Sequence, residues 1–412
     1  MPILLKMNLG CNFECNYCYE KPIKTNEPII DHKAVEETIR RLWEEGGGKG
    51  EDGEPKKDKK GNYRGPTITL HGGEPTILPK EDIERYLKLA FELTGHSGIQ
   101  TNGYLIDDDI IEMFRKYKTS VGVSIDGPWP LNEFRGIGTK AQRKKQTKRI
   151  MATIKKLRET KLPEEYWRKD KDGQKIPRYL GVSVIAVIHK KNALGERREI
   201  LKQWVKELDD AGIYGRLNIC CTGNPEIDLT PLEAVDAYTD LCDFMLEKGL
   251  SRWSPFKDIT NSLKGEDEVV CVFRNCDPFS THSATSVLHD GSVGVCLRLY
   301  GDGKIYLRAE KESTIRSDVL RQTDCKDCPW WEHCYGGCSG LSKDWDWRNK
   351  DRYCEMYKAL FVKISNALKA LGVKKKRKKK SGRGSGRRSD GDHTDGIEHF
   401  DGNTHYIDSD SR

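Results

Sequence analysis

The stretch ILLKMNLGCNFECNYC, residues 3–18, decides how the rest of the chain is read. Its first half is apolar and predicts a strand over 3–8. Its second half places Cys11, Cys15 and Cys18 on the loop that follows. Outward from there, strand patterns recur at 67–71, 98–101, 120–125, 180–189 and 215–221, with helical periodicity at 32–45, 79–94, 107–117, 140–160 and 195–211. Six strands alternating with five helices predict an α/β fold with a parallel sheet and its helices outside. Six such units make an open, partial version of the eight-fold barrel, whose chemistry collects on loops beyond the C-terminal ends of strands. The cysteine loop occupies that position.

The composition bounds the remaining choices. At 412 residues the chain can hold a large domain and a smaller one. It is 36% hydrophobic and 33% charged, and its longest apolar runs, such as VSVIAVI at 182–188, have the length of strands. None approaches the roughly 20 residues of a membrane helix, and MPILLKMN is too short for a secretory signal. A cytoplasmic protein away from the membrane is therefore expected. Under reducing conditions its 14 cysteines point to metal ligation, catalysis or core packing rather than to disulfides. The formal charge of +7 is concentrated in the tail: KKKRKKKSGRGSGRR at 374–388 carries ten positive charges, and 389–412 is acidic. Residues 46–65 read as a flexible loop and 161–178 as a second surface excursion.

Three thiols spaced by three and two residues on one loop can converge on a single metal centre. A tetrahedral zinc site takes four protein ligands, usually as two pairs. A [4Fe–4S] cube also takes four, and three cysteines leave one iron open.

CNFECNYC resembles the CxxxCxxC cluster loop of the radical S-adenosylmethionine (SAM) superfamily, with aromatic Tyr17 before the last cysteine. HGGEP (71–75), QTNGYL (100–105), SIDGP (124–128) and RGIGT (135–139) follow in order and resemble further elements of that family. The resemblance implies that Cys11, Cys15 and Cys18 hold a catalytic [4Fe–4S] cluster whose open iron chelates SAM. It also implies SAM contacts from Tyr17, Gly72, Gly73, Glu74, Ser124 and Arg135. Reductive SAM cleavage to a 5′-deoxyadenosyl radical would then abstract hydrogen from substrate, with an electron donor such as flavodoxin or ferredoxin.

Farther on, the spacing of Cys276, Cys296, Cys325, Cys328, Cys334, Cys338 and Cys354 resembles the SPASM extension found on peptide- and protein-modifying members, and Cys271 makes an eighth. Read alone, the Cys-x2-Cys pair also fits structural zinc. The resemblance implies two auxiliary [4Fe–4S] clusters, one on Cys271, Cys276, Cys296 and Cys338, the other on Cys325, Cys328, Cys334 and Cys354. Three clusters are thus expected in all, the auxiliary pair relaying electrons. Trp330 and Trp331 pack around clusters or serve an ordinary core. Cys220, Cys221 and Cys242 are expected to be structural, with one of the first two able to face the barrel mouth.

The expected layout is a partial (β/α)6 radical SAM barrel over 1–228, a linker helix, SPASM domain and C-terminal helix over 229–371, and a disordered tail over 372–412. The substrate expected is a peptide or protein, modified by thioether or carbon–carbon crosslinking or a related oxidation. Formylglycine formation on sulfatases is the alternative. It is weakened because Leu297 stands where that group carries an aspartate base, while Asp277 follows Cys276 in a turn-like NCDPF. No leader-gripping domain is expected before residue 3. A non-catalytic zinc-binding interaction protein is the rival from another class. The basic tail lacks aromatics for base stacking, so a nucleic-acid partner is not expected.

Overall fold

The computed structural model describes residues 2–19, 29–59, 61–266, 276, 284–294 and 315–373. The repeating units are β1 (Ile3–Lys6), α1 (His32–Glu45), β2 (Ile68–His71), α2 (Lys80–Thr94), β3 (Ser97–Thr101), α3 (Asp108–Lys116), β4 (Thr119–Ser124), α4 (Lys140–Glu159), β5 (Val182–Ile188), α5 (Glu196–Asp210) and β6 (Tyr214–Ile219). Downstream come α6 (Pro231–Lys248), β7 (Trp253–Ser254), α7 (Phe256–Lys264), β8 (Thr285–Leu288), β9 (Val293–Gly294), α8 (Ile315–Gln322), α9 (Trp331–Cys334) and α10 (Cys354–Ala370).

The strands form one open sheet in the order β9-β8-β1-β2-β3-β4-β5-β6-β7, parallel throughout except for β9. Residues 3–219 thus build the six-unit partial barrel, β2 and β3 ending at the sequence boundaries and the other four strands one or two residues before them. β5 shows how the sheet divides its faces. Val182, Val184, Ala186 and Ile188 are buried toward the helices, and the alternate Ile185 and Val187 line a cavity. The helices answer with apolar stripes, such as Ile83, Leu87 and Ala90 on α2 and Ile110, Ile111 and Phe114 on α3. Their starts are capped by side chains: Asp107 accepts from the Ile110 amide, and Thr139–Gln142 and Thr230–Glu233 form capping boxes.

One expectation is corrected. Residues 46–65 have no long regular elements, yet they are packed, with bridges at Lys49–Pro55 and Lys57–Tyr63. The Trp43 ring covers Gly48, and Tyr63 lies over Gly95, each so closely that a Cβ would meet the ring at 2.2 Å. These two aromatics anchor an otherwise charged loop. The sheet also extends beyond the six units at both edges. β8, from the downstream region, pairs with β1 in parallel and carries β9 beside it, while β7 extends the far edge at β6. The excursion at 161–178 is a surface feature as expected, tipped by an exposed hairpin of Arg168–Lys169 and Lys175–Ile176.

The C-terminal α10 packs on α6 and α7 through Met356, Tyr357, Leu360, Phe361 and Ile364. Trp330 stacks on Phe361 at 5.2 Å, and Trp331 joins Leu320 and Cys325 in a small separate core. Both tryptophans therefore have packing roles. The Tyr353 hydroxyl donates to the carbonyls of Cys220 and Leu229, tying the downstream region to the barrel rim. Among the described residues no helix is long and apolar enough to cross a membrane.

Candidate active site at the open barrel mouth

A cavity of about 550 Å³ opens at the C-terminal ends of the strands, within the range of small-molecule sites. Its wall includes Cys11, Cys15 and Cys18 from the loop after β1, Gly72, Gly73 and Glu74 after β2, Asn102 after β3, and Ser124 and Arg135 from β4 and beyond. Tyr17 lines it too. Every residue expected at the SAM-binding centre borders this one space.

The two glycines have a local reason. A Cβ on Gly73 would stand 1.9 Å from the Gly10 carbonyl oxygen, and one on Gly72, at φ +153°, 2.6 Å from Asn8 Oδ1. What comes close here is the cysteine loop itself. Its backbone is paired across by Gly73 N–H to the Asn8 carbonyl (3.1 Å) and Glu74 N–H to the Gly10 carbonyl (2.9 Å). Glycine therefore sets the position of the three thiols. The carboxylate of Glu74 is occupied inside the protein. It accepts from the Thr76 amide and hydroxyl, the Thr101 hydroxyl and the Asn102 amide. Burial raises its pKa, and those donors oppose the rise. Glu74 braces the ends of β2 and β3.

Tyr17 and Arg135 meet at a residue that the motifs did not single out. Asp126, fully buried, accepts from the Tyr17 hydroxyl, from Arg135 Nη2 (3.2 Å) and from the Val187 amide (2.9 Å). The Arg135 guanidinium also lies 5.4 Å from the Tyr17 ring centroid, and His189 Nε2 lies 3.8 Å from Asp126. Burial disfavours the Asp126 carboxylate, but Arg135, His189 and Tyr17 outweigh it and the pKa is lowered. Burial drives the Tyr17 hydroxyl well above its ordinary range, with Arg135 opposing. Asp126 lies within SIDGP, but its Asp-Gly-Pro reads as a turn and gave the carboxylate no role of its own.

This wall suits an anionic, metal-bound ligand. It presents three thiols on one loop, and Arg135 Nε is buried without a hydrogen-bond partner. Ser124 Oγ accepts from Gln100 Nε2 at 2.8 Å. Phe13 N–H approaches Cys11 Sγ at 3.3 Å, and Asn102 Nδ2 stands 4.0 Å from it. Among the described residues, no three His, Cys, Asp or Glu side chains converge as the ligands of one ion would.

Other residues of the wall were not among the expected SAM contacts. His71 borders the cavity, its Nδ1 accepting from the Gly72 amide, and burial together with Lys6 lowers its pKa to about 4. Both Cys220 and Cys221 face the mouth, and burial, reinforced by Asp228, pushes the Cys220 thiol far up. Cys242 packs inside α6, its thiol raised by burial to about 12. Gly340 and the half-exposed Trp345 close the cavity from the downstream region. No sequence pattern pointed to them.

Of the eight downstream cysteines, Cys271 and Cys296 lie outside the described residues, as do Leu297, Asp277 and the tail from residue 374. Cys325, Cys328, Cys334 and Cys354 are brought into mutual electrostatic reach. Burial pushes the Cys334 thiol well up, and Cys354, Cys325 and Cys328 add to it. Cys338 sits at the next turn, its amide donating to buried Asp351 at 3.1 Å.

Residues 55–168 match the family model described as the Radical SAM superfamily. The chain spans less than half the length of the first curated relatives it matches. A longer match, 23% identical across 87% of this chain and 93% of the relative, is to the cysteine-type anaerobic sulfatase-maturating enzyme of Clostridium novyi. Among solved structures, anSMEcpe with bound AdoMet and a peptide covers 90% of this chain and 98% of its own at TM-score 0.61 and 19% identity. Streptococcus suis SuiB bound to precursor peptide SuiA covers 86% and 75% at TM-score 0.52 and 17% identity. Residues 55–168 thus carry the Radical SAM superfamily match, and the chain shares its fold, an open parallel barrel with the cysteine loop at its mouth, with these solved structures.

Proposed function

We propose that the chain is an enzyme that cleaves SAM reductively and uses the resulting radical to abstract hydrogen from a peptide or protein side chain. The observation that carries this reading is the convergence of loops from separate strands on one cavity, bringing Cys11, Cys15 and Cys18 together with Gly73, Ser124 and Arg135. A [4Fe–4S] cluster with SAM bound would supply the 5′-deoxyadenosyl radical. The chain's own residues would do the rest. The three thiolates hold the cluster, one cysteine to an iron. Arg135, with its unpartnered Nε, is placed to receive a carboxylate. Tyr17, Ser124 and the Gly72–Gly73 backbone complete the SAM pocket, and Glu74 acts through the loops that it braces. Ile185 and Val187 give the cavity an apolar side that limits water.

Downstream, two auxiliary [4Fe–4S] clusters would use Cys271, Cys276, Cys296 and Cys338, and Cys325, Cys328, Cys334 and Cys354. The proposed domain division remains barrel to 228, cysteine-rich region to 371 and tail beyond. The peptide substrate is supported by the peptides named with anSMEcpe and SuiB. A flavodoxin- or ferredoxin-like donor in the cytoplasm would supply electrons. Formylglycine formation is kept as a second reading because similarity to a sulfatase-maturating enzyme runs along most of the chain, whereas Leu297 offers no base.

Iron and acid-labile sulfide analysis of anaerobically purified protein tests the cluster assignment. About twelve irons per chain, four per cube, are expected. Stoichiometric zinc without sulfide would replace the enzyme with a non-catalytic zinc-binding protein.

A further inference from the structure

α4 carries a charge that no motif accounts for. Its sequence, KAQRKKQTKRIMATIKKLRE, holds nine lysines and arginines and one acid, Glu159. Ile150, Ile154 and Leu157 lie on the buried stripe, so Lys144, Lys145 and Lys148 stand on the opposite, exposed face, with Arg149 at its flank. Among the described residues no acidic side chain pairs with those three lysines. The acids around the helix are already bound, Glu133 by Arg197, Asp108 by Lys156 and Glu159 by Lys155.

This helix is tied to the cysteine loop. Arg143 Nη1 donates to Asn16 Oδ1 at 2.7 Å, between Cys15 and Cys18. The segment entering α4 accepts from the same loop, the Glu14 amide donating to the Gly136 carbonyl (3.1 Å) and the Asn16 amide to that of Phe134 (2.9 Å). The Arg149 guanidinium lies 4.6 Å from the Tyr104 ring centroid, and Tyr104 packs at 5.5 Å on Phe13, between Cys11 and Cys15. The basic face thus adjoins the loop that carries the three thiols. Glu14 is the exposed acid of that loop, outnumbered by the cations beside it.

We infer that the exposed face of α4 docks a small acidic electron-transfer protein, which delivers its electron at the cysteine loop. The inference rests on the SAM-cleaving reading above. The partner is oxidised by one electron, and that electron converts SAM to methionine and the 5′-deoxyadenosyl radical. Opposite charge steers and speeds such an encounter. Electron-transfer contacts are small and transient, which suits a face about 30 Å long on which no large apolar side chain is exposed. The same lack of apolar residues disfavours a membrane surface, and α4 has no aromatic ring on which a base could stack.

The test measures binding of the full chain to an acidic flavodoxin and an acidic ferredoxin at low and high salt. In parallel, 5′-deoxyadenosine formation is driven by each reduced protein or by dithionite. With Lys144→Glu, Lys145→Glu and Lys148→Glu combined, binding and the protein-driven rate should fall by about tenfold or more. The dithionite-driven rate and the melting temperature should stay at wild-type values. The three Lys→Gln changes combined should give a smaller loss in the same direction, and the three Lys→Arg changes none. Salt should weaken wild-type binding. Unchanged binding and rates in the charge-reversed protein would overturn the proposal, as would failure of wild type to bind either probe at low salt. A single-stranded oligonucleotide bound more tightly than both probes through the same lysines would also overturn it, assigning the face to nucleic acid. No 5′-deoxyadenosine from wild type with dithionite would instead remove the SAM-cleaving reading, on which the binding measurement does not depend.

Discussion

Asp126 joins what the motifs present as separate features. One carboxylate takes the tyrosine of the cysteine loop, the arginine after β4 and the Val187 amide of β5. Removing one member of a buried charge pair leaves the other uncompensated, so Asp126→Ala should cost roughly 3–5 kcal/mol in urea unfolding. A loss within experimental error would mean that Arg135 finds another partner. His71 provides a pH test. Its folded-state pKa of about 4 lies below the ordinary histidine value, so the unfolded chain binds the extra proton first. That contribution is complete above about pH 6.5 and is lost as pH falls toward 4, amounting to at most about 3 kcal/mol. His71→Gln should therefore flatten the stability profile in that window. An unchanged slope would show that the ring is already protonated or exposed.

At the scale of elements, the alternation of strands and helices was legible because each barrel unit repeats the same local pattern of apolar strand and amphipathic helix. VSVIAVI shows both what that pattern fixes and where it stops. It marks β5, but only the cavity formed with loops from the other strands makes Ile185 and Val187 wall residues. The pairing of β8 with β1 was not legible, because its register depends on residues about 280 positions apart in sequence. The glycines of HGGEP, expected as SAM contacts, border the cavity, and their Cβ positions would meet the cysteine loop. Gly73→Ala should therefore displace that loop, lowering iron content and costing about 1–3 kcal/mol by overpacking. Iron content and melting temperature equal to wild type would contradict the close approach. Tyr353→Phe should loosen the downstream region from the barrel by about 1–3 kcal/mol, since two buried carbonyls lose their donor. Limited proteolysis of the downstream region would register it.

Across the whole molecule, the sequence carried the chemistry further than the geometry. Cys11, Cys15 and Cys18 stood out by their spacing on one loop, whereas Gly73, Ser124 and Arg135 were expected only because their short motifs resemble those of a known family. The role of Asp126 and the place of Trp345 were not legible, because each depends on tertiary contacts. The molecule that results has an open parallel barrel with three thiols at its mouth, and a cysteine-rich region docked against the rim. The account stands on that mouth being a SAM-cleaving centre. The most direct measurement is 5′-deoxyadenosine formation from SAM by the anaerobically reconstituted, chemically reduced protein, compared with Cys15→Ala. Wild type should form it and Cys15→Ala should not. Formation at equal rates in both, or in neither despite a full complement of iron, would contradict the assignment.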